Sequence, residues 1–185
     1  MTDKVYTIFT DGGCHNEVGD LHGRGAWAFV EKVMGPVAVV TCGALTDTTN
    51  NRAEMIAIIK AMEAHDASDG LYIISDSGYV VKGITDERYL ETWKRNGWRT
   101  SNKGSVKNKD LWERIDQLLW RHRVIFNLCK GHNKDRNMET AFWNNMVDMA
   151  CTHVIKDFAI RDGMVCKIHF DTKTMKIIDK EVYNE

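Results

Sequence analysis

Four acidic residues stand where short apolar segments begin or end, and together they could bind a divalent cation. Asp11 and Asp76 each follow a predicted strand, while Glu54 lies in the first turn of the strongest predicted helix. Asp148 lies in the last predicted helix, beside an apolar stripe. If the two strands are parallel neighbours, their carboxylates converge at one edge of the sheet and repel each other. A divalent ion relieves that repulsion, and oxygen ligands favour Mg²⁺ or Mn²⁺ over zinc.

Each of these acids also has an ordinary structural explanation. Asp11 could belong to a glycine turn, and Glu54 could close a capping box three residues after Asn51. Asp76 could cap the next helix, and Asp148 could be a solvated helix residue. Only the combination of all four acids favours a metal site.

The hydrophobic pattern places these acids on a chain of strands and helices. Apolar runs and helical spacing predict strands at 5–10, 25–31, 36–45, 71–75 and 124–129, and helices at 52–65, 110–121 and 140–155. Their order predicts an α/β fold, with an antiparallel meander followed by parallel strands that helices connect. Two later apolar runs, at 165–170 and 175–178, predict a β-hairpin.

The composition indicates one globular domain with a short segment appended. The chain has 185 residues, 43% hydrophobic and 28% charged, which excludes a disordered or coiled-coil chain. The formal net charge of −1 excludes nucleic-acid binding through overall positive charge. No apolar stretch is long enough to span a membrane. Five cysteines without a CxxC spacing predict a reduced, cytoplasmic protein.

A local excess of positive charge lies at residues 93–109. Six lysines and arginines occur there without an acid, and Trp93 and Trp98 lie among them. Such a run is often only a solvated face. Interleaved tryptophans instead favour nucleic-acid binding, because indole rings interact with both cations and bases.

Seven segments, in the same order, resemble the motifs of the type 1 ribonuclease H family. Five are short motifs at 10–14 (TDGGC), 49–54 (TNNRAE), 75–80 (SDSGYV), 130–132 (KGH) and 144–150 (NNMVDMA). Two more, at 93–98 (WKRNGW) and 106–112 (VKNKDLW), resemble the basic protrusion of the family and the helix after it. The resemblance extends from residue 4 to about residue 155.

The resemblance implies a ribonuclease H-like fold, in which helices flank a five-stranded mixed sheet made of an antiparallel meander plus two parallel strands. It implies a catalytic domain at 1–155, with the basic protrusion at about 88–109, and leaves 156–185 as a C-terminal extension. It also implies an endonuclease that hydrolyses the RNA strand of RNA–DNA hybrids and leaves 5′-phosphate and 3′-hydroxyl ends.

The same resemblance assigns roles to individual residues. The four acids would hold two Mg²⁺ ions, with Mn²⁺ as a substitute, and His132 would move a proton near the leaving group or aid product release. Taken alone, His132 could be a solvated loop histidine. The residues implied in substrate binding are Gly12, Cys14, Asn16, Thr49, Asn50, Asn51, Trp93, Lys94, Arg95, Trp98 and Asn108. The expected partner is an RNA–DNA hybrid, and no membrane partner is expected. The protein is expected to be a monomer.

The sequence departs from the family pattern at some substrate-binding positions. Asp47 stands where an arginine is common, close to the position of Thr49 that holds a DNA phosphate. Gly78 stands where a glutamine often contacts the hybrid. We therefore expect a weaker or differently built phosphate pocket. Asn50 and Asn51 match positions that contact the minor groove and its 2′-hydroxyls.

The identity of the fourth metal ligand is open at this point. Asp148 lies 16 residues after His132, which is longer than usual in the family, so Asp135 or Glu139 could compete for the role. We prefer Asp148, because it lies on a helix beside core residues.

Two other classes of protein are alternatives. Another nuclease with this fold, such as a junction resolvase or a 3′–5′ exonuclease, would not explain the tryptophan-bearing protrusion or the pair Asn50 and Asn51. A non-catalytic hybrid-binding module would not explain four acids. The sequence therefore predicts a Mg²⁺-dependent ribonuclease H, and leaves the metal preference and the biological pathway open.

Overall fold

A seven-stranded mixed sheet forms the centre of the computed structural model, which describes residues 4–15, 23–131 and 137–184. The strands are β1 (Val5–His15), β2 (Gly23–Glu31), β3 (Val37–Thr48), β4 (Gly70–Ser75), β5 (Arg123–Leu128), β6 (Met164–Asp171) and β7 (Ile177–Asn184). Their order across the sheet is β5-β4-β1-β2-β3-β6-β7. β1 is therefore an interior strand with a partner on each side.

Helices cover both faces of this sheet. They are α1 (Asn50–Glu63), α2 (Gly78–Thr85), α3 (Leu90–Arg95), α4 (Lys109–Arg121) and α5 (Met138–Lys156). α1 and α4 pack on one face, where Met55, Ile58 and Ile115 are fully buried. α5 packs on the other face through Met146 and Val147. No described helix is both long enough and apolar enough to cross a membrane.

The predicted meander and the predicted parallel strands are both present. β1 pairs antiparallel with β2, and β2 pairs antiparallel with β3. β4 runs parallel to β1, and β5 runs parallel to β4. Thr10 lies opposite Ser75, so the next residues along the chain, Asp11 and Asp76, reach the same end of the sheet. The expected α/β fold, a mixed sheet flanked by helices, is confirmed.

The predicted number of five strands is wrong, because the C-terminal segment adds two more. β6 pairs antiparallel with β3, with Cys42 opposite Cys166, and β7 pairs antiparallel with β6. Cys166, Ile168 and Phe170 alternate along β6 and are fully buried in the core beneath α5. Sequence periodicity reveals a strand but not its partner, so the pairing of this segment with β3 could not be predicted.

Arg24, on β2, caps the C-terminal end of α5. Its guanidinium donates hydrogen bonds of 2.6–2.9 Å to the carbonyl oxygens of Val154, Ile155, Asp157 and Ile160. The last carbonyl groups of a helix lack partners within the helix and carry partial negative charge. The arginine therefore satisfies these groups and fixes the end of α5 to the sheet.

We expect Arg24→Ala to lower the free energy of unfolding by about 2–4 kcal/mol, because it removes charge-assisted hydrogen bonds and leaves carbonyl oxygens without donors. Urea unfolding followed by circular dichroism measures this loss. Arg88→Ala is the matched control, since the Arg88 side chain is 81% exposed and pairs with Asp86 at the surface. We expect Arg88→Ala to change stability far less than Arg24→Ala does, because surface ion pairs contribute little. Equal losses in both variants would contradict the capping role.

Candidate active site

A cleft of about 770 Å³ opens beside β1 and the C-terminal end of β4, and all four predicted acids line it. Asp11 lies on β1, which continues past it to His15, and Asp76 follows β4 directly. Glu54 lies on α1 and Asp148 lies on α5. Four elements that are distant in the sequence therefore contribute one carboxylate each to the same cleft.

β1 passes α1 at very short range beside the cleft. A Cβ atom on Gly12 would lie 2.2 Å from the carbonyl carbon of Ala53 and 2.3 Å from the backbone nitrogen of Glu54. Only glycine permits this approach, because it has no Cβ atom. The backbone N–H of Gly12 also donates a hydrogen bond of 2.8 Å to Oδ1 of Asp11. The tight contact between strand and helix thus brings Asp11 close to Glu54.

Neutral polar groups hold two of the carboxylates. The hydroxyl of Ser77 donates a hydrogen bond to Oε2 of Glu54, and Nδ2 of Asn144 donates one of 3.3 Å to Oδ2 of Asp76. The backbone of Gly131 passes so close that a Cβ atom there would lie 2.3 Å from Oδ2 of Asp76. These contacts orient both carboxylates without neutralising them, because no donor among them is a cation.

Asp148 and Glu139 occupy very different positions on α5. Asp148 lines the cleft, and its charge contributes to the electrostatics of Asp11. The Glu139 carboxylate instead pairs with Nζ of Lys32 at 2.6 Å and does not line the cleft. The other alternative, Asp135, lies outside the described residues. Of the two candidates on α5, the structure brings Asp148 to the other three acids.

Burial, with repulsion between the carboxylates second, dominates the electrostatics of Asp11 in the cleft. Burial, followed by the charges of Asp76 and Asp148, raises the pKa of Asp11 to about 7. Burial also raises the pKa of Glu54, although the hydrogen bond from Ser77 opposes that shift. Carboxylate oxygens whose ionisation is disfavoured without a cation fit a hard divalent ion such as Mg²⁺. Among the described residues, no three of these acids have carboxylate oxygens that all lie within 4.8 Å of one another. The four carboxylates therefore line an open cleft and do not form a closed cluster.

Several predicted substrate-binding residues lie in or beside the cleft. Gly12, Cys14 and Asn50 line it, and Oδ1 of Asn50 accepts a hydrogen bond of 2.7 Å from the backbone N–H of Cys14. Thr49 caps α1, where its hydroxyl oxygen accepts a backbone N–H of the first turn at 3.4 Å, and Asn51 lies in the same turn. The structure therefore gives Thr49 a capping role in addition to its predicted contact with phosphate.

Of three further predicted residues, one does not line the cleft and two are not among the described residues. Asn108 precedes α4 in a left-handed conformation, with φ of 58°, and its Nδ2 donates a hydrogen bond of 3.4 Å to the hydroxyl of Tyr79. Asn16 and His132 lie outside the described residues, so their roles stay predictions.

The predicted protrusion contains α3 and the loop after it. Trp93, on α3, packs against Trp112 with ring centroids 5.4 Å apart. Nζ of Lys94 lies 2.7 Å from a carboxylate oxygen of Asp116 and 3.2 Å from one of Glu91. The charge of Lys94 is thus already compensated by two carboxylates. Nε of Arg95 donates a hydrogen bond of 3.3 Å to the backbone carbonyl of Glu91.

The loop after α3 presents positive charge without such compensation. Trp98 turns the chain in a left-handed conformation, with φ of 61°, and shares a polar hollow with Arg99, Lys103 and Lys109. Lys109 pairs with Glu113 at 3.5 Å. Within the described residues, no carboxylate lies within ion-pair distance of Arg99 or Lys103. These two side chains are therefore better placed than Lys94 to bind an anionic partner.

Sequence analysis does not identify Ser77 or Asn144 as site residues. Both are buried polar side chains, 2% and 3% exposed. Asn144 precedes Asp148 by four residues, so the shared helix face is a signal that could have revealed it. Ser77 shows only the pattern of a helix cap, and it does accept the backbone N–H of Val80 at 3.3 Å. Its second role, as a donor to a glutamate, depends on tertiary packing.

The raised pKa of Asp11 makes the stability of the metal-free protein depend on pH. Folding raises this pKa from 3.8 to about 7, so between these values the folded state binds the proton more tightly than the unfolded state does. Ionisation of Asp11 therefore lowers the free energy of unfolding above about pH 7. Below about pH 4 the carboxyl is protonated in both the folded and the unfolded state, so it has no such effect. We expect Asp11→Asn, in EDTA, to raise the free energy of unfolding at pH 8 by at least about 1 kcal/mol, since one pKa unit corresponds to about 1.4 kcal/mol.

Asp171→Asn is the matched comparison for this pH dependence, because its effect on the free energy of unfolding should change with pH in the opposite direction. Hydrogen bonds from Thr174 lower the pKa of Asp171, so its ionised form favours the folded state. Its removal should therefore cost more stability at pH 8 than at pH 4. Urea unfolding at both pH values provides the measurement. An effect of Asp11→Asn that is the same at both values would contradict the explanation.

Proteins of known family resemble this chain over most of its length. The RNase H family model matches residues 3–156. Ribonuclease HI of Pseudomonas aeruginosa is 40% identical over 142 residues, which cover 76% of this chain and 91% of that protein. Ribonuclease H of Acetivibrio thermocellus is 36% identical over 153 residues, which cover 83% of this chain and 96% of that protein.

Solved structures share the fold. LC9-RNase H1, described as a type 1 RNase H with the type 2 active-site motif, matches with a TM-score of 0.69 at 16% identity, over 100% of this chain and 79% of that chain. The foamy viral protease-reverse transcriptase in complex with RNA/DNA hybrid matches with a TM-score of 0.64 at 20% identity, over 83% of this chain and 20% of that chain. On the family model and the relatives at about 40% identity, this chain belongs to the ribonuclease H family.

Proposed function

We propose that this chain is an endonuclease that hydrolyses the RNA strand of RNA–DNA hybrids and leaves 5′-phosphate and 3′-hydroxyl ends. The observation that carries the proposal is the convergence of four carboxylates, from Asp11, Glu54, Asp76 and Asp148, on one cleft. Relatives named ribonuclease H support the reaction. A protein of the same fold that is described in complex with RNA/DNA hybrid supports the substrate class.

The four carboxylates would hold Mg²⁺, for which Mn²⁺ would be a substitute. We assign two ions to the cleft, because the displacement at phosphorus develops charge on both the attacking and the leaving oxygen. When bound, such ions activate a water molecule and stabilise the leaving 3′ oxygen. The raised pKa of Asp11 supports this assignment, since the cleft disfavours its own ionisation until a cation is present.

The other side chains of the cleft would orient the carboxylates and the substrate. Ser77 and Asn144 fix Glu54 and Asp76 by neutral hydrogen bonds, so the full negative charge stays available to a metal ion. Asn50, held against the backbone of β1, would contact the 2′-hydroxyls of the RNA strand in the minor groove. DNA lacks this hydroxyl, so the contact would distinguish the strands. His132 would move a proton near the leaving group.

The protrusion would bind the DNA strand of the hybrid. Arg99 and Lys103 supply uncompensated positive charge beside the indole of Trp98, and cations next to aromatic rings suit a nucleic-acid strand. One cleft and one protrusion on the same chain are sufficient for one duplex, so we expect a monomer. The five cysteines, all in described segments, form no disulfide, which is compatible with the reducing cytoplasm.

The function is tested with four labelled substrates in Mg²⁺: an RNA–DNA hybrid, double-stranded RNA, double-stranded DNA and single-stranded RNA. We expect internal cuts only in the RNA of the hybrid, with 3′-hydroxyl ends, and no cuts in EDTA. Cleavage from one end only would instead indicate an exonuclease. Tight hybrid binding without cleavage would indicate a binding module.

Two variants on α5 identify the fourth ligand in the same assay. We expect Asp148→Asn to lower the cleavage rate at least about 10³-fold, because it removes a charged ligand from the cleft. Glu139→Gln is the control and should keep the wild-type rate, since its partner is Lys32. The reverse result would transfer the role to Glu139.

We expect the salt dependence of hybrid binding to reveal which cations contact phosphates. Each phosphate contact contributes about 0.9 to the slope of log K against log salt concentration. The double variant Arg99→Ala/Lys103→Ala should therefore reduce the magnitude of the slope by about 2, measured by fluorescence anisotropy with a catalytically inactive Asp11→Asn chain.

Lys94→Ala is the control for this measurement. Because Glu91 and Asp116 already compensate the charge of Lys94, its removal should change the slope by less than about 0.5. A larger change for Lys94→Ala than for the double variant would show that the phosphate contacts lie on α3 and not on the loop.

A further inference from the structure

A second cluster of metal-ligand side chains lies on the hairpin of β6 and β7. His169 on β6 lies opposite Asp179 on β7, and Glu181 follows two residues along β7. Alternate residues of a strand share a face, so all three side chains lie on the same face of the hairpin. Within the described chain, this is the only group of three or more histidine, cysteine or acidic side chains whose ligand atoms all lie within 4.8 Å of one another.

One imidazole nitrogen of His169 lies at ion-pair distance from Glu181 and has no hydrogen-bond partner among the described residues. Nε2 is sealed from solvent and makes no hydrogen bond to any described residue, although Oε1 of Glu181 lies 3.2 Å away. Two donors that each bind one tetrahedral zinc ion at about 2.0–2.1 Å lie roughly 3.3 Å from each other. The separation between Nε2 and Oε1 is therefore the one expected of two ligands of a single ion.

Neighbouring groups leave the cluster open to a cation. Oδ1 of Asp179 accepts the backbone N–H of Lys180 at 2.8 Å, which orients the carboxylate so that its second oxygen can bind a metal ion. The ammonium of Lys180 lies on the opposite face, 2.6 Å from Asp157. On the same face as the cluster, Nζ of Lys167 lies over the ring of Tyr183, 5.8 Å from its centroid.

We propose that His169, Asp179 and Glu181 bind one divalent ion of the borderline class, with Zn²⁺ as the representative. An imidazole nitrogen favours such ions over Mg²⁺, whereas the carboxylates of the cleft favour Mg²⁺. Two carboxylates and a neutral imidazole balance the charge of the ion, and three protein ligands leave one position for water. The ion would join β6 to β7, whose residues are exposed along its whole length.

This site is separate from the catalytic cleft. In the sheet, β2, β3 and β6 lie between β1, which carries Asp11, and β7. Four strand spacings of about 4.8 Å correspond to about 19 Å. An ion on the hairpin would therefore not touch the substrate, and its role would be to hold the edge strand on the sheet.

The test is isothermal titration calorimetry of the full chain with Zn²⁺ in a large excess of Mg²⁺, which saturates the cleft. We expect one Zn²⁺ per chain at micromolar affinity. In NMR spectra of the same titration, changes in amide chemical shifts should be confined to β6, β7 and the adjacent part of β3. His169→Ala should abolish this binding. Asp179→Asn and Glu181→Gln, which keep the side-chain shapes, should weaken it at least about tenfold, and they keep the test valid if His169→Ala does not fold.

His153→Ala is the matched control. This half-buried histidine lies on α5, and its Nε2 is 3.5 Å from Nζ of Lys180 on the opposite face of the hairpin. The His153→Ala variant should bind Zn²⁺ with the same affinity as the wild type. Three results would overturn the proposal: a wild-type chain that binds no Zn²⁺ in Mg²⁺, ligand variants that bind it unchanged, or binding that is lost in Asp11→Asn.

Discussion

Mutual repulsion among the carboxylates of the cleft is the constraint that the rest of the structure must withstand. Burial and the neighbouring carboxylates of Asp76 and Asp148 raise the pKa of Asp11, so the cleft can exist only if other contacts hold its elements in place. Asp11 lies on an interior strand with partners on both sides. Asp148 lies on α5, whose end is fastened to β2 by Arg24. The anchors of the acids therefore lie in the sheet and the core, away from the charges themselves.

Close backbone contacts are the second requirement. Gly12 lets β1 approach α1, and Gly131 lets the chain after β5 approach Asp76, in both cases at distances that exclude a Cβ atom. Neutral donors then orient the carboxylates. A cation in place of Ser77 or Asn144 would relieve the repulsion permanently and compete with a metal ion. The cleft thus combines close backbone contacts with carboxylates that neutral donors orient, which suits metal-dependent hydrolysis.

Local pattern revealed much of this arrangement, and tertiary contacts account for the rest. Asp11 and Asp76 could be found because each stands where an apolar run stops, and the parallel pairing of their strands followed from the order of the elements. The last predicted helix favoured Asp148 over Glu139, because Asp148 lies beside the core residues of that helix. In contrast, the compensation of Lys94 by Asp116 depends on a residue of another helix, and the partner of β6 is a strand from the first third of the chain. Periodicity contains no information about either pairing.

The pairing of β3 with β6 also has a consequence for the order of events during synthesis. β3 ends at Thr48, whereas β6 begins only at Met164, more than 100 residues later. Until that segment leaves the ribosome, one edge of β3 presents unpaired N–H and C=O groups, and such edges promote association between chains. All four acids of the cleft are synthesised before this edge is closed. A nascent chain can therefore contain every element of the cleft while it still exposes an aggregation-prone strand, and the last hairpin acts as its cover.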